Sequence, residues 1–529
     1  MTENVDEVLL KSTEPSVPWG AVLILVLGAF MSILDSSIVN VALPRMMSVF
    51  GASTDDIQWV LTGYLLTSGV VIPPSAYLCD RFGCKRMYVI SLLIFTAGSA
   101  FCGLAWSINS IIIARVIQAV GGGMLIPISM AMIFFLVPQE KMGTALGVWG
   151  IAAVMGPAIG PTLGGYLVDN FSWEWIFTVN IPVGIAAVLL SIGFLRETVL
   201  KKDLKPDIIG IGLIAIACFS LLLALSEGQD KGWTSQYIVT LLVVSAYTII
   251  LFALWEAYIP NPLIPMQLFK NPVMLASLLA TAVTTILLFS VVFLIPIYAQ
   301  NLLGLSPMRT GILMLPMALA TGFLMPVSGK IFDKYGAFGL GLLGLIILSG
   351  FTYYMRFLSL ETDFGDLQTI LALRATGIGL AMMPLTNAGM LTVSAHLVNS
   401  ASATANLIRQ IAGSIGVACT TYVFTQRQAY HMAVISDSFS YSSPTALPIL
   451  NQTQAYLSTQ GLTGDSALSG SIQIINSLVT RQSFMCGIDD ALVVLAIVGV
   501  CGIPLVFMLS KKRVEKQRQK EGIANEAAR

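Results

Sequence analysis

The sequence is poor in charge. Only 11% of its 529 residues are Asp, Glu, Lys or Arg, while 56% are hydrophobic and the mean hydropathy is +0.82. A water-soluble surface needs roughly a quarter of its residues charged, so a soluble domain is excluded and lipid is left as the solvent. Basic and acidic residues balance at 28 each, which gives no footprint for a nucleic-acid partner. Imidazoles are scarce, with only His396 and His431. There is no nucleophile–base pair, no metal cluster and no phosphate-binding loop, so the chain reads neither as an enzyme nor as a nucleotide-driven pump. The seven cysteines lack metal-ligand or CxxC spacing, which argues against a disulfide framework or a zinc site. A cleavable leader is also missing from the pattern: about seventeen mostly polar residues precede a run too long for a signal segment, which reads as a true first span.

What the sequence has in abundance is long apolar runs. Windows of about twenty residues, cut by Gly, Pro and charge, predict an all-α polytopic membrane protein. Fourteen spans are expected, at 18–42, 58–78, 88–106, 110–136, 143–168, 175–195, 207–226, 236–257, 273–300, 309–328, 338–357, 367–393, 400–425 and 488–510. An even count puts both termini on one side. With that side cytoplasmic, nineteen of the 28 Lys and Arg face the cytoplasm, six the outside, and Arg115, Arg374 and Arg409 fall inside spans. The bias follows the positive-inside pattern, so a plasma (inner) membrane protein with cytoplasmic termini is expected. The connection 426–487 on the outer side is long, rich in Ser, Thr, Gln, Asn and Ala, and reads as a surface insertion with helical potential near 427–435 and 467–480. A cap over the outer vestibule, or a contact for a partner, is the other reading of it.

Two short patterns recur. Asp80-Arg81-Phe-Gly83, followed by Lys85 and Arg86, joins the second and third spans, and Asp333-Lys334-Tyr-Gly336 joins the tenth and eleventh. Arg115 opens a Gly-rich stretch in the fourth span, as Arg374 does in the twelfth. The offsets, 253 (80 to 333) and 259 (115 to 374), describe one duplication. Six spans fill only part of that offset, so two spans are inserted. The expected organisation is a tail (1–17), a six-helix bundle (18–206), two inserted helices (207–257), a second six-helix bundle (258–510) and a basic tail (511–529).

The Asp80 loop resembles the motif between helices 2 and 3 of the major facilitator superfamily. Gly156-Pro157-Ala-Ile-Gly160-Pro161-Thr-Leu-Gly164-Gly165 resembles that superfamily's antiporter motif. Leu34-Asp35 through Asn40 and Pro44, with Trp173-Glu174-Trp175 through Asn180 and Pro182, is similar to the fourteen-helix drug:proton antiporter family of EmrB/QacA type. Ala76, Cys84 and Glu174 depart from the family's usual Gly, Arg and Arg.

The resemblance implies proton-coupled export of lipophilic compounds, cations among them, by alternating access. Protons are the coupling ion and no cofactor is expected. It also implies a periplasmic adaptor where the host has an outer membrane. A narrower exporter of one metabolite, peptide or siderophore is the alternative.

Asp35 lies in the first apolar run, where an ionised carboxylate is expensive, so it is the candidate proton carrier, or a cation site if it faces the cavity. A structural carboxylate bonded to a neighbouring helix is the other option. Arg115 cannot shed its charge and needs a partner, with Gln118 one turn away to orient it; it is either a relay or a fixed clamp. Arg374 and Arg409 are its counterparts in the second bundle. Asp80, Arg81, Lys85, Arg86, Asp333 and Lys334 are expected to form charge latches at a cytoplasmic gate, with Gly83 and Gly336 making the turns. The Gly/Pro series of the fifth span is expected to pack closely and bend. Asp489 and Asp490 read as a solvated helix cap or an outer proton site.

Overall fold

A computed structural model of the chain describes residues 17–198, 200–201, 204–438, 446–462 and 464–521. The expected N-terminal tail lies outside the described residues except for Val17, as do residues 522–529 of the basic tail.

The described residues are helical almost throughout. In order they form α1 (Trp19–Phe50), α2 (Thr54–Phe82), α3 (Cys84–Gly103), α4 (Ile108–Leu136), α5 (Met142–Asn170), α6 (Trp175–Phe194), α7 (Ile208–Lys231) and α8 (Gln236–Tyr258). There follow α9 (Pro272–Asn301), α10 (Pro307–Tyr335), α11 (Phe338–Tyr354), α12 (Phe364–Met390), α13 (Val398–Ser438), α14 (Ala446–Thr459), α15 (Asp465–Met508) and α16 (Lys511–Lys520). Local chemistry sets several boundaries. Ser53, Asn271, Ser306 and Asp363 cap the helices they precede through side-chain oxygens. Gly83 (φ 96°) and Gly336 (φ 83°) turn the chain at the two repeated motifs, a backbone conformation that a Cβ would strain.

Twelve of these helices are long and apolar enough to cross a membrane, and α5 makes thirteen when its two arms, bent by 43° over Pro157, count as one span. The expected span at 58–78 falls on α2, which is 29 residues long but diluted by Pro73, Pro74, Ser and Thr.

The first six helices pack chiefly among themselves, through α1 on α5, α3 on α4 and α6, and α2 on α4. The helices from α9 onward do likewise, through α10 and α11 on α12, and α9 and α11 on α15. Two seams join the groups: α5 against α10, and α2 against α13. The α7–α8 pair packs through α7 onto α2 and α13. The end at which α1 begins and α15 finishes is the tail end below, and the opposite one the far end.

The connection 426–487 is helical at 427–435 and 467–480, where the sequence has helical potential, and the helices run well beyond those stretches. Its described part is mostly helix: α13 continues to Ser438, α14 occupies 446–459 and α15 begins at Asp465. At ~1.5 Å per residue, α13 and α15, of 41 and 44 residues, far exceed the ~30 Å of hydrocarbon a span must cross. Both therefore extend at the far end by more than the length a span needs. Arg427 Nε (2.5 Å) and His431 Nε2 (2.8 Å) of α13 pair with Asp490 of α15 and hold the extensions together. Asp490 is therefore an interhelical tie, and neither it nor Asp489 caps a helix.

Candidate functional site

Asp35, Arg115 and Gln118 come together in one network with no solvent exposure. A buried carboxylate keeps its charge only where donors replace water, and here three do. Arg115 Nη1 donates to Oδ2 (2.5 Å), while Gln118 Nε2 (2.9 Å) and Asn180 Nδ2 (2.8 Å) donate to Oδ1. Arg115 Nη1 also reaches Gln118 Oε1 (2.7 Å), and its Nε donates to the Val60 carbonyl (3.2 Å). Ser99 Oγ accepts from Gln118 and Asn180, both at 3.1 Å, and donates to the Phe177 carbonyl. The Arg115 guanidinium lies 4.1 Å from the Tyr64 ring centre, a cation–π contact that contributes further in a desolvated site. The network thus ties α1, α2, α3, α4 and α6. Sequence reasoning found its charged members and Gln118, but missed Ser99 and Tyr64 and quoted Asn180 only within a motif.

The cavity lies beside this network. It has a volume of about 610 Å³ and runs from the level of Trp149 and Asn406 toward Gln58 and Asp230 at the far end. Asp35 does not line it, which corrects the cavity-facing option for that residue. Tyr64 belongs to both the network and the cavity wall, and its hydroxyl pairs with Ser32 Oγ (3.2 Å), another wall residue. Helix α7 supplies a face of the cavity through Leu222, Ser226, Gln229, Asp230 and Trp233. No signal in the sequence marked these, because the α7–α8 stretch reads only as apolar length.

The two remaining intramembrane arginines differ from each other. Arg374 is fully buried away from the cavity; its Nε donates to Thr352 Oγ1 (2.9 Å) and its Nη2 to the Leu287 carbonyl (2.6 Å). It is a clamp between α9, α11 and α12, in which a carbonyl and a hydroxyl replace the carboxylate that Arg115 finds. Arg409 is 9% exposed and lines the cavity. Among the described residues its only hydrogen bond is a long one to Asn406 Oδ1 (3.5 Å), and its Nε and Nη2 are buried without a partner. Its guanidinium sits 5.7 Å from the Trp149 ring centre. Among the described residues no carboxylate forms an ion pair with it.

At the tail end the two repeated motifs act across the seams. Asp333 Oδ1 and Oδ2 accept from Gly143 N (2.7 Å), Thr144 N (3.0 Å) and Thr144 Oγ1 (2.8 Å), so a carboxylate of α10 sits on the positive end of α5. Asp80 accepts from Asn399 Nδ2 (2.5 Å) of α13 and Lys201 Nζ (2.7 Å). Lys201 in turn donates to the His396 carbonyl (2.8 Å). The basic residues of the motifs do not serve the aspartates as expected. Lys85 Nζ donates to the Ile192 carbonyl, and the backbone amides of Lys85 and Arg86 bind Glu197, with Arg86 Nε 3.8 Å from the same carboxylate. Lys334 lies over the Tyr335 ring, and Arg81 closes the last turn of α2. The physical reason is reach: Arg81 and Lys334 directly follow their aspartates on the same helix ends and so leave the helix in another direction, while Lys85 and Arg86 begin α3, where Glu197 is at hand.

The antiporter-like stretch packs α5 onto α1. A Cβ at Gly156 would lie 2.6 Å from Ile33 Cγ2, at Gly160 2.5 Å from Ser37 Oγ, and at Gly164 2.9 Å from the Ile38 carbonyl. Gly165 is looser, 4.0 Å from Val41, while the Pro157 carbonyl accepts from Ser37 Oγ (3.2 Å) and Pro161 lies in the arm beyond the bend.

The comparisons agree with this architecture. The family model described as Major Facilitator Superfamily matches residues 25–417. The chain is 33% identical over 505 residues to the uncharacterized MFS-type transporter YhcA of Bacillus subtilis, covering 95% of each. It is 30% identical to the multidrug export protein EmrB of Haemophilus influenzae, covering 94% of this chain and 97% of that one. To the fatty acid resistance protein FarB of Neisseria gonorrhoeae it is 28% identical, covering 91% and 94%. Among solved structures, the human organic anion transporter MFSD10 matches with a TM-score of 0.60 at 12% identity, over 93% of this chain and all of that one. With the helical bundle, the far-end cavity and these relatives together, the chain belongs to the Major Facilitator Superfamily, as a polytopic membrane transporter akin to the EmrB-type multidrug exporters and not an enzyme.

Proposed function

We propose that this transporter exports lipophilic compounds in exchange for protons by alternating access. Fourteen helices cross the membrane, arranged as two six-helix halves (18–206 and 258–510) with an inserted pair (207–257), and the tail end is cytoplasmic. The structure has its tail end latched and its cavity extended toward the far end, the arrangement of a state that releases cargo outward. The observation that carries proton coupling is Asp35, a carboxylate with no exposure that holds one arginine and two amides from two other helices, α4 and α6. A proton arriving on Asp35 cancels the charge that Arg115 pairs with, so α1 and α4 must re-pair, and the halves move. The names of the EmrB and FarB relatives support an exporter of apolar compounds.

For the substrate, the cavity favours an acceptor or negative group over a cation. Asp35 is already neutralised by Arg115 and shut off from the cavity, whereas Arg409 faces it with two unused donors. Among the described residues the only acid on the cavity wall is Asp230 at the mouth. A periplasmic adaptor, in a host with two membranes, would meet the helical far-end extensions.

The test is transport in proteoliposomes with an imposed pH gradient. Asp35→Asn is expected to abolish gradient-driven efflux while substrate exchange without a gradient persists; unchanged driven efflux defeats the coupling role. In the same assay Arg409→Gln should reduce transport of a lipophilic weak acid by about tenfold or more, the worth of a charged hydrogen bond, and leave a lipophilic cation unaffected.

A further inference from the structure

At the tail end of the α7–α8 hairpin two buried carboxylates face each other, with no Lys or Arg paired to either among the described residues. Asp207, which caps α7, uses Oδ1 to accept from Gly210 N (2.9 Å) and Trp255 Nε1 (2.8 Å). Glu256, in the last turn of α8, uses Oε2 to accept from Ile264 N (3.1 Å) in the strand of chain leading toward α9. Their other oxygens, Asp207 Oδ2 and Glu256 Oε1, are buried and have no hydrogen-bond partner. The residues are 6% and 3% exposed. The two orphan oxygens converge over Gly210, where a Cβ would overlap Asp207 Oδ2 and lie 2.8 Å from Glu256 Oε1.

Two ionised carboxylates cannot share such a place. Among the described residues neither makes an ion pair; the charge acting on Glu256 is that of Asp207, and Lys205, two residues before Asp207, is exposed. The groups that do reach the pair are neutral: the Trp255 indole N–H and the amides of Gly210 and Ile264. We infer that Asp207 and Glu256 share one proton, forming a proton-binding site in the inserted hairpin that is separate from the Asp35 network. One carboxyl gains an O–H bond and donates it to the facing carboxylate, and the pair carries a single negative charge, which Gly210, Trp255 and Ile264 solvate.

The location gives the site a consequence. Leu263 and Ile264 are buried in a cluster with Ile214 and Phe252 of the hairpin, Ile72 of α2 and Leu407 of α13. They wedge the linker into the seam where α2 and α13 meet. Glu256 holds that wedge through Ile264 N, so the shared proton fastens the hairpin to the seam, and loss of the proton places two like charges at the fastening. The inserted pair is thereby a proton-dependent clasp on the two halves.

Infrared pH-difference spectra of the purified full-length transporter test this directly. A carboxylic C=O band is expected in the protein at neutral pH and is lost from Glu256→Gln, with Asp207→Asn giving the same loss should the first variant fail to fold. Linkage supplies a second readout. The folded chain holds one proton more than the unfolded chain, so its stability should fall as pH rises until that proton leaves, by up to about tenfold in the folded-to-unfolded ratio per pH unit. Glu256→Gln, which mimics the protonated partner, should flatten that slope. Equal spectra for the wild type and both variants would overturn the proposal. So would stabilisation by Na⁺, Mg²⁺ or Ca²⁺ at fixed pH that Glu256→Gln removes, since a cation would then occupy the place of the proton. Failure of proton-driven transport in Asp35→Asn leaves these readouts untouched, so the two proposals stand or fall separately.

Discussion

A carboxylate without exposure pays for its charge through its donors, and Asp35 has three, drawn from α4 and α6. The consequence is asymmetric. Removing Arg115 alone leaves a buried, under-solvated anion, whereas removing both charges leaves an apolar contact. Arg115→Met is therefore expected to cost about 3–5 kcal/mol of stability, and the Asp35→Leu/Arg115→Met pair far less. Thermal unfolding in detergent checks it: a double variant as unstable as the single would show that the charge pair is not the seat of the effect. Asp35, Arg115 and Gln118 were legible in the sequence because charge inside an apolar run is rare. Asn180, Ser99 and Tyr64 were not, since neutral polar side chains are common in spans and only the packing of α2, α3 and α6 selects these three. The same limit hid the difference between Arg374 and Arg409, which is a difference in what surrounds two similar positions.

Among the elements, α5 is set apart by its glycines. Toward the far end they meet α1, and toward the tail end Gly143 and Gly147 meet α10. A Cβ at Gly143 would lie 2.5 Å from the Gly329 carbonyl, and at Gly147 2.5 Å from the Met325 carbonyl. Neither neighbour is a flexible side chain, so the helices must part to admit a methyl group. Gly143→Ala is expected to open the tail end of the α5–α10 seam, seen as raised thiol labelling of a cysteine placed on the tail-end surface of α10. Gly193→Ala, with nothing within 4 Å of the added carbon, is the control and should leave labelling unchanged. The Gly/Pro pattern made close packing legible, but not its partner. In 426–487 the reading of a surface insertion with short helical stretches followed from its Ser, Thr, Gln, Asn and Ala content. The helices there persist because they continue α13 and α15 and are tied by Arg427, His431 and Asp490.

At the scale of the whole molecule the two motif aspartates are cross-latches, since Asp333 reaches from α10 to α5 and Asp80 from the α2–α3 turn to α13. Each latch is a set of hydrogen bonds to a charged group, worth about 1.5–3 kcal/mol apiece. Losing one shifts the ratio of tail-closed to tail-open molecules by roughly 10- to 100-fold. Asp333→Asn is therefore expected to populate the tail-open form, read as longer distances between spin labels on the tail-end turns of α2–α3 and α10–α11. Distances identical to the wild type would show that the latch does not bias the equilibrium.

By itself the sequence determined the solvent, the helical class, the duplicated motifs and the family, because each depends on composition or on local spacing that survives without coordinates. Apolar run length reports lipid, and an Asp–base–aromatic–Gly turn reports itself. Only the tertiary structure decided which polar groups meet. It walled Asp35 off from the cavity, left Arg409 facing that cavity with no carboxylate paired to it among the described residues, and made α7 part of the cavity wall. It also set Asp207 against Glu256, 49 residues apart in the chain. The reason is that a pairing between helices is fixed by rotation about their axes and by their order in the bundle, neither of which the spacing along one strand of sequence records.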